Sequence, residues 1–420
     1  VIDVPKNMTD PNYKFEYKYP KELVMRSFPI LGKGQDEKIA NAIELFRSAK
    51  KPVIYSGGGT IQADASKELT EFSKLIGCPV TNTLMGLGAF PGDDDQFVGM
   101  LGMHGTYEAN MVMSEADLIF NVGARFDDRI TNNPSKFGLE AKKIHIDSDP
   151  SSIDKIIGVD LAIEGDAKLV MQQLIEQVKS TGFDQNIYKD WWAQVEGWRE
   201  AHGLNHDMLK LKNEKDIILP QQVIQSLYQT TKGEAYVTSD VGQHQMFAAQ
   251  YYKFKDPRKW INSGGLGTMG FGLPSAMGVK FAFPEADVAC VTGEGSIQMC
   301  IQELSTCGQY GLPIKIINLN NRALGMVKQW QDMQYGGRYS SISYEDSLPD
   351  FVKLAESFGH VGIKVEKLSE LNQAMEESFA MKDKLVFLDV LVDPDEHVYP
   401  MLEAGGSMSE MRLSKDKKTF

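Results

Sequence analysis

Asp287-Val288-Ala289-Cys290-Val291-Thr292-Gly293-Glu294-Gly295-Ser296 runs from an apolar strand into an acid flanked by glycines, and its reading decides the fold. Beyond it, Ile297, Ile301 and Leu304 fall on one side of a predicted helix. A second apolar strand, Ile314–Leu319, follows and ends in Asn320-Asn321. Strand, loop, helix and strand in that order form a parallel unit, and such sheets bind ligands at the carboxyl ends of their strands. Glu294 and Asn321 both fall there, 27 positions apart (321 minus 294). Gly293 and Gly295 let the backbone approach a diphosphate closely, and the helix after Gly295 offers its N–H groups and those of Ser296 to the anion. One carboxylate and one amide oxygen then share a magnesium ion, with diphosphate oxygens completing an octahedron near ~2.0–2.1 Å.

The same rhythm extends both ways. Glu234–Thr238 and Leu385–Val392 are further strand candidates of this second unit. An earlier unit begins at Asp36, with Ile39, Ala42, Ile43 and Phe46 at helical spacing, then a strand over Pro52–Tyr55 and the loop Gly57-Gly58-Gly59. Leu69, Phe72 and Ile76 mark a second helix, with Asp64 as its expected cap. Asp117–Val122 and Lys143–Asp147 read as strands. The predicted class is α/β, with two doubly wound parallel-sheet domains at residues 31–180 and 216–400. Residues 181–215, with Trp191, Trp192 and Trp198 among many charges, read as a helical linker. Residues 401–420, broken by Gly405-Gly406, read as a flexible tail or lid. Residues 1–30 read as a linker; the opening Val1-Ile2-Asp3-Val4-Pro5 looks like a cut, so a further N-terminal domain is expected before it.

Composition bounds the function. The 420 residues are 42% hydrophobic and 24% charged, as in an ordinary soluble globular protein. A net charge of −13 offers no basic face to nucleic acid. No apolar run approaches the ~18–20 residues needed to cross a bilayer. Cys78, Cys290, Cys300 and Cys307 lack metal-type spacing and read as buried thiols of a reducing, cytoplasmic compartment.

Gly293-Glu294-Gly295 through Asn321 resembles the thiamine diphosphate (ThDP) motif, an acid between glycines followed at about this spacing by paired Asn. The family has Asp where this chain has Glu294, and the added methylene pushes the carboxylate roughly 1.5 Å outward. Gly242-Gln243-His244-Gln245-Met246, Gly264-Gly265-Leu266-Gly267-Thr268-Met269-Gly270, Leu324-Gly325-Met326-Val327-Lys328-Gln329-Trp330 and Asp395-Glu396-His397-Val398-Tyr399-Pro400-Met401 resemble the acetohydroxyacid synthase branch of that family. The resemblance implies that Gln243 and His244 flank the coenzyme. It implies that Met269 props the coenzyme in a bent form, that Met326 contacts it, and that Ala323 completes the magnesium site. Trp330 then shapes the pocket for the second 2-keto acid, a contact with one extra methylene being worth ~1 kcal/mol.

In the first unit, three segments resemble the family's FAD loops: Thr83-Leu84-Met85-Gly86-Leu87-Gly88, Leu101-Gly102-Met103-His104-Gly105 and Gly123-Ala124-Arg125-Phe126-Asp127-Asp128-Arg129; Ile144-His145-Ile146-Asp147 ends a strand in an acid, which suits a ribose or ribityl hydroxyl. By resemblance Gly58 and Asp166 also belong to that site, Arg125 meets the flavin's diphosphate, and Arg129 meets the substrate carboxylate. The implied reaction decarboxylates pyruvate and joins the remainder to a second pyruvate or to 2-ketobutyrate, giving 2-acetolactate or 2-aceto-2-hydroxybutyrate. FAD does no net redox work in it. The resemblance further implies a homodimer or homotetramer, a small regulatory subunit, and an activating glutamate on the expected N-terminal domain. Pyruvate oxidase, glyoxylate carboligase and a catalytically silent relative are the competing readings.

Overall fold

The computed structural model describes Glu16, Lys18, Tyr19 and Lys21, then residues 32–211, 216–344 and 346–419. The expected linker over 1–30 lies almost entirely outside the described residues, as do 212–215 of the expected linker at 181–215.

Among the described residues the chain builds two six-stranded sheets, each wholly parallel. The first contains β1 (Pro52–Ser56), β2 (Val80–Asn82), β3 (Phe97–Met100), β4 (Leu118–Val122), β5 (Lys142–Asp147) and β6 (Leu161–Glu164), in the spatial order 3-2-1-4-5-6. Every residue of β1 and β4 is buried, as expected of central strands covered on both faces. Ile39, Ala42, Ile43 and Phe46 of the helix Asp36–Ser48 pack there, with Phe46, Phe72 and Phe120 in mutual ring contact. The second sheet contains β7 (Tyr236–Ser239), β8 (Trp260–Asn262), β9 (Val288–Thr292), β10 (Lys315–Asn320), β11 (Val361–Val365) and β12 (Val386–Leu391), ordered 11-12-10-9-7-8.

Chain direction across a doubly wound sheet reverses where two neighbouring strands send their connections to opposite sides, and a crevice opens at their carboxyl ends. That point lies between β1 and β4 in the first sheet and between β7 and β9 in the second. The order of the first sheet is the one associated with dinucleotide binding.

Three local expectations are corrected. Asp64 does not cap the helix Ser66–Ile76: it sits at φ +52° and pairs with Arg258 at 2.6 Å, while Ala65 takes the cap position. Ile297, Ile301 and Leu304 do not share one helix, because the turn Glu294–Ile297 stops and a new helix, Glu303–Tyr310, begins after it. Residues 401–419 are not a loose tail. Met401–Leu402 (β13) pairs antiparallel with Met411–Arg412 (β14), and Leu402, Met408 and Met411 are buried in the core of the first sheet. Gly405, at φ +74°, makes the reversal, and Asn132 donates to the carbonyls of Glu403 and Gly406. The helix Lys189–His202 also lies on the first sheet, with Trp191 donating to the Pro52 carbonyl and Trp192 to that of Gly77.

Candidate active site between the two sheets

A cavity of about 510 Å³ lies where the carboxyl-end loops of both sheets meet. From the second sheet come the loop after β7 (Val241 to Gln245), the glycine loop 263–269, the turn after β9 (Gly293 to Ser296) and the segment after β10 (Asn321 to Trp330). Gln243, His244, Met269, Gly293, Glu294, Gly295, Ser296, Asn321, Ala323, Met326 and Trp330 all line it. Leu84, Leu101, Met103, His104 and Arg129 line it from the first sheet.

Glu294 is buried, 1% exposed, and burial pushes its carboxyl up to about 7. Its Oε1 accepts from the Ala323 N–H at 2.6 Å, and Asn321 Oδ1 accepts from the same N–H at 3.1 Å. A carboxylate oxygen and an amide oxygen are therefore gathered side by side on one donor. Two acceptors sharing one proton leave surplus negative potential, which a hard cation relieves. The set is oxygen throughout, and among the described residues no three His, Cys, Asp or Glu side chains converge as a softer metal would require.

The paired Asn residues have different tasks. Asn320 donates to Asp389 at 3.0 Å on the neighbouring strand and is spent there, together with Asn318 at 2.8 Å. Asn321 reaches the cavity and donates to Gln243 Oε1 at 3.2 Å. His244 is buried with Nε2 lacking a partner among the described residues, and burial holds its imidazole down at about 4, so it is neutral. Its ring fills the space beside Gly293, where an added Cβ would lie 2.9 Å from Nδ1. That contact explains Gly293, as the Tyr344 hydroxyl, 2.6 Å from a Cβ on Gly295, explains Gly295. The expected helix N-terminus behind Gly295 is a single turn, so its dipole is that of one turn only.

Asp240 and Asp389 were not legible as site residues in the sequence. Asp240, fully buried, accepts from the N–H groups of Gly270 and Gly272 at 2.8 and 2.9 Å and from the Thr292 hydroxyl at 2.7 Å. It thus ties the loop carrying Met269 to the end of β9. The signal available was an acid at the end of the strand Tyr236–Ser239, one residue beyond it.

In the first sheet the residues named for FAD divide. Leu84, Leu101, Met103 and His104 face the cavity, and burial holds His104 down at about 4, with Nδ1 lacking a partner among the described residues. Gly58, Thr83, Gly102, Gly123, Arg125, Asp127, Asp128, Asp147 and Asp166 lie outside it. Thr83 caps the short turn Leu84–Gly86, and Asp166 caps the helix Ala167–Thr181. Gly123, at φ +62°, packs on the Gly59–Thr60 backbone, where a Cβ would lie 2.5 Å from Thr60 N, and Gly102 packs against the Arg129 carbonyl. Arg125 pairs with Asp127 at 2.8 Å on the surface, while Arg129 stands near Asp128 at 3.7 Å. Asp147 accepts from Asp149 N at 2.8 Å. All four cysteines are buried and free, as expected.

Two parallel sheets whose crevices converge on an acid between glycines, with an amide oxygen gathered beside it, are the arrangement of a thiamine pyrophosphate enzyme. Residues 39–174 match the family described as thiamine pyrophosphate enzyme, central domain, and residues 240–390 match its C-terminal TPP binding domain. The chain is 52% identical over 419 residues to the acetolactate synthase large subunit of Haemophilus influenzae, covering 100% of this chain and 72% of the relative. It is 53% identical over 423 residues to the acetolactate synthase isozyme 3 large subunit of Escherichia coli, covering 100% and 73%. With the acetolactate synthase of Mycobacterium leprae it shares 39% over 419 residues, covering 99% and 66%. The chain belongs to the acetolactate synthase large-subunit family. Its function is that of a ThDP-dependent acetohydroxyacid synthase, and the silent-relative and oxidase readings are not favoured. Among the described residues no helix is long and apolar enough to cross a membrane.

Proposed function

We propose that this chain decarboxylates pyruvate and condenses the product with a second pyruvate or with 2-ketobutyrate, in a site where residues 216–400 hold ThDP and Mg²⁺ and residues 31–180 hold FAD. The observation that carries this reading is the convergence of both carboxyl-end crevices on one cavity, with Glu294, Asn321 and Ala323 on one wall and Arg129 on the other.

Bound ThDP supplies a nucleophilic carbon and an electron sink. Glu294 and Asn321 would hold Mg²⁺ through their side-chain oxygens, and Ala323 through its carbonyl. The backbone of Gly293 to Ser296 would meet the diphosphate without an intervening side chain. Met269 and Met326 give the reacting centre apolar walls that exclude water, which strengthens every charge interaction inside. Arg129, an always-charged fork of donors at the rim, orients the 2-keto acid through its carboxylate. Trp330 offers a flat apolar face to the acceptor's alkyl group, favouring 2-ketobutyrate by about 1 kcal/mol per added methylene. The reversal between β1 and β4 supports a dinucleotide there, with Gly58, Arg125 and Asp147 as its outer contacts. The relatives' designation as large subunits supports a small regulatory partner and a homodimeric or homotetrameric assembly, working in the cytoplasm.

Calorimetric titration with ThDP in the presence of Mg²⁺, followed by assay of acetolactate and of peroxide from pyruvate, tests this. Coupled ThDP and Mg²⁺ binding with acetolactate as product is expected; peroxide without acetolactate, or no ThDP binding, refutes it.

A further inference from the structure

The amide of Asn321 serves a cation only if its oxygen, not its nitrogen, faces Glu294, and an amide can rotate to present either. The structure contains a device that removes the choice. Gln329, fully buried, makes a paired contact with the backbone of Val398: its Nε2 donates to the Val398 carbonyl at 3.0 Å, and its Oε1 accepts from the Val398 N–H at 3.0 Å. A backbone N–H and C=O cannot exchange places, so this contact sets which end of Gln329 is oxygen. Gln329 Oε1 also accepts from Gln243 Nε2 at 2.8 Å. The Gln243 amide nitrogen is thereby committed to that side, and its Oε1 must face the other way. There it accepts from Asn321 Nδ2 at 3.2 Å, which turns Asn321 Oδ1 toward Ala323 N and Glu294.

A second anchor acts in the same sense. His397 Nε2 lies 2.8 Å from Asp332 Oδ2, and Asp332, also bound by Lys328 at 3.2 Å, accepts only. The Nε2 of His397 therefore carries a proton; burial holds the imidazole below its ordinary range and keeps it neutral, so its Nδ1 is an acceptor, and Gln243 Nε2 sits 3.3 Å from it. Both anchors require the amino group of Gln243 on the same side. The relay is packed tightly: a Cβ on Gly325 would lie 2.2 Å from Gln243 Oε1 and 2.4 Å from Asn321 Nδ2.

We propose that Gln329 and His397 are positioning residues which, through Gln243, fix the polarity of the Asn321 amide and so preset it as a cation ligand. This rests on the reading of Glu294 and Asn321 as the Mg²⁺ site. In consequence the segment around Val398, far along the chain from the glycine turn, governs cation affinity without touching the cation.

The test is calorimetric Mg²⁺ titration of the full chain at saturating ThDP. Gln329→Leu removes the anchor and is expected to weaken Mg²⁺ at least tenfold. Gln329→Glu, buried and protonated, still accepts from Val398 N–H and Gln243 and donates to the Val398 carbonyl; it is expected to stay within about threefold of the parent. His397→Phe removes the second acceptor without a large change of shape, is expected to weaken Mg²⁺ about threefold, and serves as the test should Gln329→Leu not fold. A purely structural role would lower the melting temperature of these variants without separating Leu from Glu in cation affinity. Parent-like Mg²⁺ affinity in folded Gln329→Leu or His397→Phe, or equal losses in the Leu and Glu variants, overturns the relay alone. A parent that binds no Mg²⁺ overturns the site reading beneath it as well.

Discussion

Replacing Asp240 by Ala tests how the loop carrying Met269 is held. Asp240 accepts three hydrogen bonds at 2.7 to 2.9 Å, two from backbone N–H groups and one from Thr292. After truncation the Thr292 hydroxyl still has the Gly293 carbonyl at 3.3 Å, but the amides of Gly270 and Gly272 lose the partner shown for them. A buried donor left unpaired costs about 1–3 kcal/mol, and of the two only the Gly272 amide is fully buried, so the substitution is expected to destabilise the second sheet by about 3 kcal/mol. Asp240→Asn keeps an oxygen toward both amides and can donate to Thr292, losing only the charge; about 1–2 kcal/mol is expected. Urea unfolding of parent, Asn and Ala variants gives the differences, and ThDP affinity is expected to fall in the same order. An Ala variant within 1 kcal/mol of the parent, or an Asn variant as unstable as Ala, would refute the reasoning.

Other outcomes follow from the same geometry. Glu294→Gln keeps the shape but removes the charge a cation needs, and is expected to raise the Mg²⁺ requirement about a hundredfold; Glu294→Asp withdraws the added methylene and restores the family's acid, and is expected to lower the requirement, both read by Mg²⁺ titration, with equal requirements in parent and Asp variant refuting the second. Gly293→Ala drives a methyl against the His244 ring and is expected to cost about 1–3 kcal/mol in denaturant unfolding while weakening ThDP. His104, held down at about 4 by burial, refuses a proton that the unfolded chain takes up below 6.5. Its contribution, about 3 kcal/mol, is present above pH 6.5 and lost as pH falls toward 4, so a His104→Gln variant should show a correspondingly flatter acid limb in unfolding measurements. Glu108 has the opposite sense: burial pushes it up to about 6, and stability is lost as pH rises from 4.5 to 6. Glu108→Gln is therefore expected to stabilise by about 2 kcal/mol at pH 8 and to be neutral at pH 4.

The central strands were legible because they are buried on both faces and carry short, mainly apolar runs: β1, β4, β9 and β10 needed nothing else. Val80–Asn82 and Trp260–Asn262, three residues each, are too short to show a period, and Leu161–Glu164 and Val361–Val365 are edge strands with mixed burial. In the site, Gly293, Glu294 and Asn321 could be read from spacing along one βαβ unit. Asp389 could not, since its meeting with Asn318 is a matter of strand register between β10 and β12. Asp240 reaches partners 30, 32 and 52 positions away, and only the folded sheet brings them to it. The tail misled for a related reason: its polar composition hid Met408 and Met411, two apolar anchors whose socket lies in the first sheet.

The last strands of the chain deserve to be seen as a strap. After leaving the second sheet, the chain bonds Leu402 N to the Met103 carbonyl and sinks Met411 beside Asn110, at a separation of 301 positions. A late segment seated in an early core makes the two halves share their fate: heat or denaturant cannot melt one wall of the cavity while leaving the other at full strength. Trimming from the carboxyl end past Met411 would loosen both rims at once, although neither rim would have lost a residue.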